Sequence, residues 1–146
     1  MKISIGSDHG GFLLKEAIKK HLLSQNYDVL DEGCNSLESV HYPLYASYVC
    51  EDVLNGCDFG ILVCTTGIGM SIAANKYRGI RAALVTNLES AMLTRKHNNS
   101  NVICLGAKYT SFEDAFKFVD AFISSTFEGG RHQIRVDMIQ KIEERK

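Results

Sequence analysis

The sequence has few of the features that mark nucleic-acid-binding or membrane proteins. Its 146 residues include one proline and no tryptophan, and 17 acidic side chains nearly balance 16 Lys and Arg. A net charge of −1 gives no overall field that would attract nucleic acid or a membrane surface. No hydrophobic run has the length of a membrane span, and Met1 leads into a strand pattern without a signal peptide. We therefore expect no nucleic-acid or membrane partner.

The cysteines lack the spacing of a disulfide framework or a zinc site. There are five of them, an odd number, and no two form a C-x-x-C pair. Free thiols are typical of a reducing compartment, so the sequence predicts a cytoplasmic protein without a structural metal.

Short apolar segments alternate with helical patterns along the whole chain. This alternation implies a parallel sheet with helices on both faces. We therefore predict an α/β fold: one three-layer α/β/α Rossmann-like domain over residues 1–146, with a five-stranded parallel sheet. The predicted strands are residues 2–6, 27–31, 59–64, 80–85 and 102–105, and a last helix is predicted at about residues 131–145.

The most informative stretch is residues 61–71, which read Ile-Leu-Val-Cys-Thr-Thr-Gly-Ile-Gly-Met-Ser. A strand-type run ends in Cys64, and a short glycine turn then opens a helix. Helix N-termini carry unpaired amides and partial positive charge, so they hold anions and stabilise a thiolate. The stretch predicts a site for an anionic ligand, with a thiol able to move protons.

The same loop lacks the residues of three other anion-binding motifs. A dinucleotide fingerprint needs a third glycine and belongs to the first strand, not the third. A Walker loop needs Lys after its second glycine, whereas Gly69 is followed by Met70. A cysteine phosphatase would need an arginine at that same position, six residues after Cys64. The sequence therefore does not predict a dinucleotide site, a Walker-type phosphate site or a cysteine phosphatase.

Polar residues also follow other predicted strands. Asp8 and His9 come after the first strand, and residues 86–87 and 106–108 follow the fourth and fifth. Ligands of parallel α/β sheets bind beyond the carboxyl ends of the strands. We therefore expect these residues to converge with Cys64.

Other candidates have a simpler structural explanation when taken singly. Asp8 can cap the helix that follows it, and His97 suits the last turn of a helix. Arg131 and Arg135 stand four residues apart, which places them on one helix face of ordinary solvated type. His132 and Lys15 are predicted to face solvent.

Eight segments of the chain, taken together, resemble the B-type ribose-5-phosphate isomerases, in the superfamily that also holds galactose-6-phosphate isomerase. They span nearly the whole chain in the family's order, which makes chance an unsatisfactory explanation. The matching segments are residues 5–12, 42–43, 64–69, 71–76, 79–82, 97–98, 101–102 and 128–132.

The resemblance implies an enzyme of the pentose phosphate pathway that needs neither metal nor organic cofactor. It would interconvert ribose 5-phosphate and ribulose 5-phosphate through an enediolate. Cys64 matches the catalytic base, and Thr66 matches the residue whose hydroxyl assists proton exchange. His97 matches the residue that opens the sugar ring, with Asp8 near it.

The resemblance also implies which residues bind the sugar phosphate and how the chains assemble. It implies a homodimer, alone or paired into a tetramer, with shared active sites. The last helix would pack on the partner, which would contribute His97 and some basic residues. Matching substrate-binding positions are Asp8, His9, Tyr42, Asn98, Lys108, Arg131 and Arg135, with the amides of Thr65, Thr66, Gly67, Ile68, Gly69 and Met70 as an anion hole.

Because of two departures from the family pattern, the identity of the sugar substrate stays open. Thr65 replaces the first glycine of the usual Cys-Gly-Thr-Gly loop, and Lys108 stands where relatives often carry arginine. The same chemistry could therefore serve galactose 6-phosphate, allose 6-phosphate, or an unphosphorylated or uronate-derived sugar. A non-catalytic sugar sensor would have lost Cys64 or His97, and a thiol-redox enzyme would carry a second cysteine near Cys64. The sequence favours an enzyme over both.

Overall fold

Five strands form one parallel sheet in the computed structural model, which describes residues 1–145. Their spatial order is β2-β1-β3-β5-β4, which places the third strand of the chain at the centre. This confirms the predicted α/β class. The strands are β1 (Lys2–Ser7), β2 (Asp28–Gly33), β3 (Phe59–Cys64), β4 (Ala82–Leu84) and β5 (Val102–Gly106).

Helices cover both faces of the sheet. The first and fifth pack on one face with Ile61 and Val63 of the central strand, and the second and third pack on the other with Leu62 and Cys64. Every residue of β3 is buried, which explains its continuous apolar run. The helices are α1 (Phe12–Ser24), α2 (Tyr42–Leu54), α3 (Ile68–Ala74), α4 (Leu88–Asn98), α5 (Phe112–Ser124) and α6 (Arg131–Glu144), and His9–Gly11 forms a single 3-10 turn.

Each helix that connects two parallel strands runs from the carboxyl edge of the sheet back to its amino edge. Residues at the start of α2, α3 and α4 therefore lie near the carboxyl edge, and residues at the end of each helix lie near the amino edge. Strands of five or six residues separate the two edges by roughly 15–20 Å. In the described part of the chain, residues 1–145, no helix has the length and apolar character needed to span a bilayer.

The second strand shows why one boundary was predicted short. β2 continues to Gly33, and Asp31 pairs in register with Ile5 of β1. Asp31 belongs in this edge strand because its carboxylate accepts hydrogen bonds from Lys15 Nζ at 2.9 Å and Lys19 Nζ at 2.7 Å. Burial alone would raise the pKa of Asp31, but these bonds outweigh it and lower the pKa below its usual value. The two residues beyond the predicted end, Glu32 and Gly33, have no apolar side chain, so the sequence carries no strand signal for them.

Lys15 was predicted to face solvent, and this is wrong. Its side chain is fully buried and donates to both Asp31 and Glu16. A buried ammonium group is tolerated because both carboxylates lie within 3 Å of it. The pairing depends on an edge strand 16 residues away in sequence, which helical periodicity does not reveal.

Candidate active site

Cys64 is the last residue of β3 and is only 5% exposed. Its Sγ accepts the N–H of Gly67 at 3.2 Å, which offers a sulfur anion a hydrogen-bond donor. Gly67 has a φ of 78°, and a Cβ at this position would lie 2.6 Å from Leu84 Cδ1. Only glycine fits this turn, and the turn brings an amide to the thiol.

The turn before α3 and the first residues of that helix supply polar groups beside the thiol. Thr66 is half-buried, and its Oγ1 accepts the N–H of Ile68 at 3.3 Å. Two of the six predicted anion-hole amides, those of Gly67 and Ile68, therefore have intramolecular partners. The amides of Gly69 and Met70 lie in the first helical turn, where a helix provides no partner.

Tyr42 lies over this same turn. It is the first residue of α2, and Pro43 follows it at the helix start, a position where proline costs no hydrogen bond. A Cβ on Gly69 would lie 2.7 Å from the Tyr42 ring, so the glycine allows the ring to approach α3 closely. The structure thus brings the predicted Tyr42 and Gly69 together.

Asp8 and His9 follow β1 and face the same edge. Asp8 is buried, and its Oδ1 accepts the N–H of Gly11 at 3.1 Å, so it acts as a helix cap. The Nδ1 of His9 accepts the N–H of Val40 at 3.2 Å, which places the proton of a neutral ring on Nε2. His9 therefore offers a donor of fixed orientation.

Thr65 and Lys108, the two departures from the family pattern, lie next to each other. The N–H of Lys108 donates to the Thr65 carbonyl at 3.0 Å. Thr65 is exposed, and its Oγ1 fills the space that a Cβ on Gly10 would need. With His9, Gly10 and Phe112, both residues line a cavity of about 360 Å³ at the carboxyl edge.

His97 and Asn98 end α4 and therefore lie at the amino edge of the sheet. Arg81, which directly precedes β4, donates its Nε to the Asn98 carbonyl at 3.1 Å and to the Asn99 carbonyl at 3.0 Å. These bonds hold the end of α4 beside the start of β4. His97 thus lies far from Cys64 of the same chain.

The start of α6 joins this amino-edge group. The N–H of Glu128 donates to the Lys96 carbonyl at 3.0 Å, and the His132 ring stacks on His97 with centroids 4.2 Å apart. Arg131 and Arg135 are exposed on the first two turns of α6.

His132 is only 7% exposed, so its predicted exposure is wrong. Burial and the charges of His97 and Arg131 lower the pKa of His132. The available signal was Gly129-Gly130, whose positive φ values of 69° and 56° let the chain reverse onto α4. Such a reversal packs one face of α6, which carries His132 and Val136, against the protein.

The predicted site residues therefore fall into two sets on opposite edges. One chain alone does not bring the two sets together. The carboxyl-edge set is Asp8, His9, Tyr42, Cys64, Thr65, Thr66, Gly67, Ile68, Gly69, Met70 and Lys108. The predicted residues of the amino-edge set are His97, Asn98, Arg131 and Arg135, and the structure adds Glu128 and His132 to them.

Comparisons with known proteins agree with this arrangement of elements. The ribose/galactose isomerase family model matches residues 3–139. Ribose-5-phosphate isomerase B of Escherichia coli is 47% identical over 146 residues, which cover 99% of this chain and 98% of that protein.

Solved structures give the same result. Ribose-5-phosphate isomerase B of Clostridium thermocellum superposes with a TM-score of 0.98 at 46% identity, covering 99% of both chains. The Mycoplasma genitalium protein, solved with bound ribulose-5-phosphate, superposes with a TM-score of 0.95 at 41% identity, covering 99% of this chain and 97% of that one. The match extends through the sheet and through both edge sets, and this chain belongs to the ribose/galactose isomerase family.

Proposed function

We propose that this protein interconverts ribose 5-phosphate and ribulose 5-phosphate by proton transfer, with Cys64 as the base. The observation that carries the proposal is the hydrogen bond from the Gly67 amide to Cys64 Sγ at the end of the central strand. Membership of the isomerase family and the bound ribulose-5-phosphate in the Mycoplasma genitalium relative support the choice of sugar.

In the proposed reaction, the Cys64 thiolate removes the proton from C2 of the open-chain aldose. The C2–H bond breaks, an S–H bond forms, and the electron pair moves to the carbonyl oxygen to give an enediolate. The thiol then returns its proton to C1, while the hydroxyl of Thr66 relays the proton that passes between O1 and O2. Amides at the start of α3 stabilise the oxygen anion as it forms.

The remaining carboxyl-edge residues hold the sugar against Cys64. His9 donates through Nε2, and the Tyr42 hydroxyl lies over the turn that carries the amides. Fixing the substrate in this way keeps C1 and C2 within reach of one sulfur atom. Asp8 lies beside the site as a buried carboxyl group.

We propose that the active site is completed by a second copy of this chain. His97 of the partner subunit would open the sugar ring, and Asn98, Arg131 and Arg135 of the partner subunit would hold the hydroxyls and the phosphate. The separation of the two edge sets supports this, because paired arginines that bind phosphate are useful only near the base. A two-fold dimer then forms two identical complete sites.

The last helix provides the surface for that dimer. Ile134, Met138 and Ile142 recur every four residues along α6, and they are 64%, 60% and 57% exposed. A stripe of this kind normally packs against another surface. We therefore propose that α6 packs on the partner subunit. The five cysteines are free, which fits a reducing compartment, and we propose the cytoplasm.

The direct test is ribulose 5-phosphate formation from ribose 5-phosphate without added metal, measured for the protein and its Cys64→Ala variant. General-base removal typically costs about 10²- to 10⁴-fold in rate, so we expect the variant to be nearly inactive while its circular dichroism is unchanged. Near-normal turnover by the variant would exclude Cys64 as the base.

A second candidate keeps the chemistry and changes the sugar. Thr65 adds a side chain to the lining of the cavity, and Lys108 has the charge but not the planar fork of arginine. We would compare kcat/KM for ribose 5-phosphate, galactose 6-phosphate, allose 6-phosphate, and unphosphorylated and uronate sugars, with Thr65→Gly beside the native chain. A higher kcat/KM on one of the other sugars would replace ribose 5-phosphate as the substrate.

A further inference from the structure

We propose that His97, Glu128 and His132 form a binding site for Zn²⁺, and that the bound ion inhibits the enzyme by occupying His97. The inhibition rests on the ring-opening role proposed above for His97. Zinc binding itself rests only on the geometry of the three side chains.

The three candidate ligand atoms lie close to the spacing that a metal ion requires. Glu128 Oε1 is 3.6 Å from His97 Nε2 and 3.6 Å from His132 Nε2, and all three side chains offer ligand atoms within 4.8 Å of one another. Zinc bonds of about 2.0–2.1 Å place neighbouring tetrahedral ligands roughly 3.3–3.4 Å apart. Side-chain rotations of Glu128 and of one histidine ring are therefore needed to close the set around one ion.

Backbone hydrogen bonds hold together the segments that carry these side chains before any ion arrives. Glu128 is fixed by its N–H bond to the Lys96 carbonyl, and His132 by its N–H bond to the Gly129 carbonyl, both at 3.0 Å. Both Nε2 atoms lie 3.6 Å from Glu128 Oε1, and the two rings stack within 8° of parallel. One ring must therefore turn out of the stack before both nitrogen lone pairs can meet at one ion. The end of α4 and the segment that leads into α6, which are distant in sequence, thus meet at one point.

The ligand types indicate which ion binds. Two imidazoles and one carboxylate suit zinc and other late first-row metals, whereas magnesium and calcium prefer oxygen ligands alone. Three protein ligands leave one tetrahedral position open for water or a substrate oxygen. Arg131 and Arg135 lie near His132 and oppose a cation, so we expect binding weaker than at a structural zinc site.

An ion at this position would block the step proposed for His97. Once its Nε2 is bonded to zinc, that nitrogen has no lone pair to accept a proton and carries no proton to donate. Ring opening of the cyclic sugar phosphate would therefore stop, while Cys64 on the opposite edge of the same chain stays unchanged.

The first test measures binding without turnover. The intact protein is freed of metal with a chelator and titrated with Zn²⁺ by calorimetry and with Co²⁺ by visible absorption. We expect one ion per chain, an intense tetrahedral cobalt spectrum, and at least a tenfold loss of affinity in both Glu128→Gln and His132→Gln. Binding of no ion, or unchanged affinity in both variants, would overturn the site.

The matched control is His21→Gln. His21 Nε2 lies 2.9 Å from Asp120 Oδ1, so it is another histidine–carboxylate pair. Within residues 1–145 this pair belongs to no group of three candidate metal ligands. We expect the removal of His21 to leave the zinc affinity unchanged. An equal loss in His21→Gln would show that zinc binds surface histidines in general, and this would also overturn the site.

The second test measures inhibition and separates this proposal from the proposed function. Zinc should lower the rate with ribose 5-phosphate, and a chelator should restore it. Glu128→Gln removes one proposed zinc ligand but retains Cys64. If the same zinc concentration still inhibits this variant, the inhibition comes from the thiol, and inhibition through His97 is overturned. A protein inactive on ribose 5-phosphate would refute the proposed function, whereas the zinc and cobalt titrations would still decide the site.

Discussion

The two edges of the sheet present their residues in different ways. At the carboxyl edge, Cys64 and Asp8 are buried and bonded to backbone amides of adjacent turns. At the amino edge, Arg131 and Arg135 project from the start of a helix and are exposed. The first edge holds a reactive group rigidly, as proton transfer requires, whereas the second offers long cationic side chains that need a partner surface to be positioned. We infer that proton transfer by Cys64 and phosphate binding by the two arginines lie at different edges, and that dimerisation joins them.

The most decisive test of whether the two edges of one site come from different chains is to mix two inactive variants. Cys64→Ala damages the carboxyl edge and His97→Ala the amino edge, and we expect each homodimer to lose about 10²- to 10⁴-fold in rate. In a mixed dimer, one site carries both changes and the other carries neither. Random reassociation makes half of the dimers mixed, so the mixture should regain about a quarter of native activity.

The readout is the rate of ribulose 5-phosphate formation after the two variants are unfolded together and refolded. Each variant refolded alone is the control for spontaneous recovery. If one chain supplied both residues to a site, every mixed dimer would contain two damaged sites. The mixture would then remain as inactive as its components.

A second prediction concerns a variant that should remain monomeric, so that the carboxyl edge of one chain never meets the amino edge of another. Ile134→Asp together with Met138→Asp places charges on the exposed stripe of α6. We expect monomers with native circular dichroism and a loss of at least about 100-fold in turnover, because burying a charge at an apolar interface is costly. Light scattering after gel filtration measures the mass.

Leu23→Asp is the control for that variant. Leu23 is an exposed leucine of α1 and is 52% exposed, so it is comparable in exposure to the residues of α6. The Leu23 variant should remain dimeric and active. Dimers in the α6 variant, or full activity as a monomer, would contradict the shared site.

The third prediction concerns phosphate binding at the amino edge. Arg135→Ala removes an interaction remote from C1 and C2, so we expect KM to rise about 10- to 100-fold while kcat changes little. Lys141→Ala removes a cation further along the same helix and should leave KM unchanged. An unchanged KM in Arg135→Ala would mean that the phosphate is held elsewhere or that the substrate has none.

The sequence is more informative about the carboxyl edge than about the amino edge. Cys64 is recognisable because a buried strand ends at a glycine turn, and both signals are local. His132 stacks on His97, 35 positions earlier in the chain, and no local pattern marks that contact. Its burial follows from the meeting of two helix ends, which depends on strand order. For the same reason, the sequence predicts the fold class but does not predict the buried Lys15.

The smallest effect is expected from a group outside both sets. Glu32 lies at the end of β2, and the carboxyl group of Asp52, burial and the charges of Asp31 and Glu51 raise its pKa to about 7. In the unfolded chain its pKa is near 4.5, so between these values the folded state holds a proton that the unfolded state has lost. This stabilisation is complete below the unfolded value and disappears as the pH rises through about 7.

Glu32→Gln should therefore stabilise the protein at pH 8 and have little effect at pH 4.5. Because solvent reaches Glu32, we expect a gain of only about 1 kcal/mol in the free energy of unfolding at pH 8. Urea unfolding at the two pH values measures it, and an equal difference at both would contradict the protonation argument. The variant should keep native kcat and KM, because Glu32 belongs to neither edge set. A variant with a higher free energy of unfolding but unchanged kcat and KM would separate stability from activity. Activity would then depend on the residues of the two edge sets and not on the overall stability of the fold.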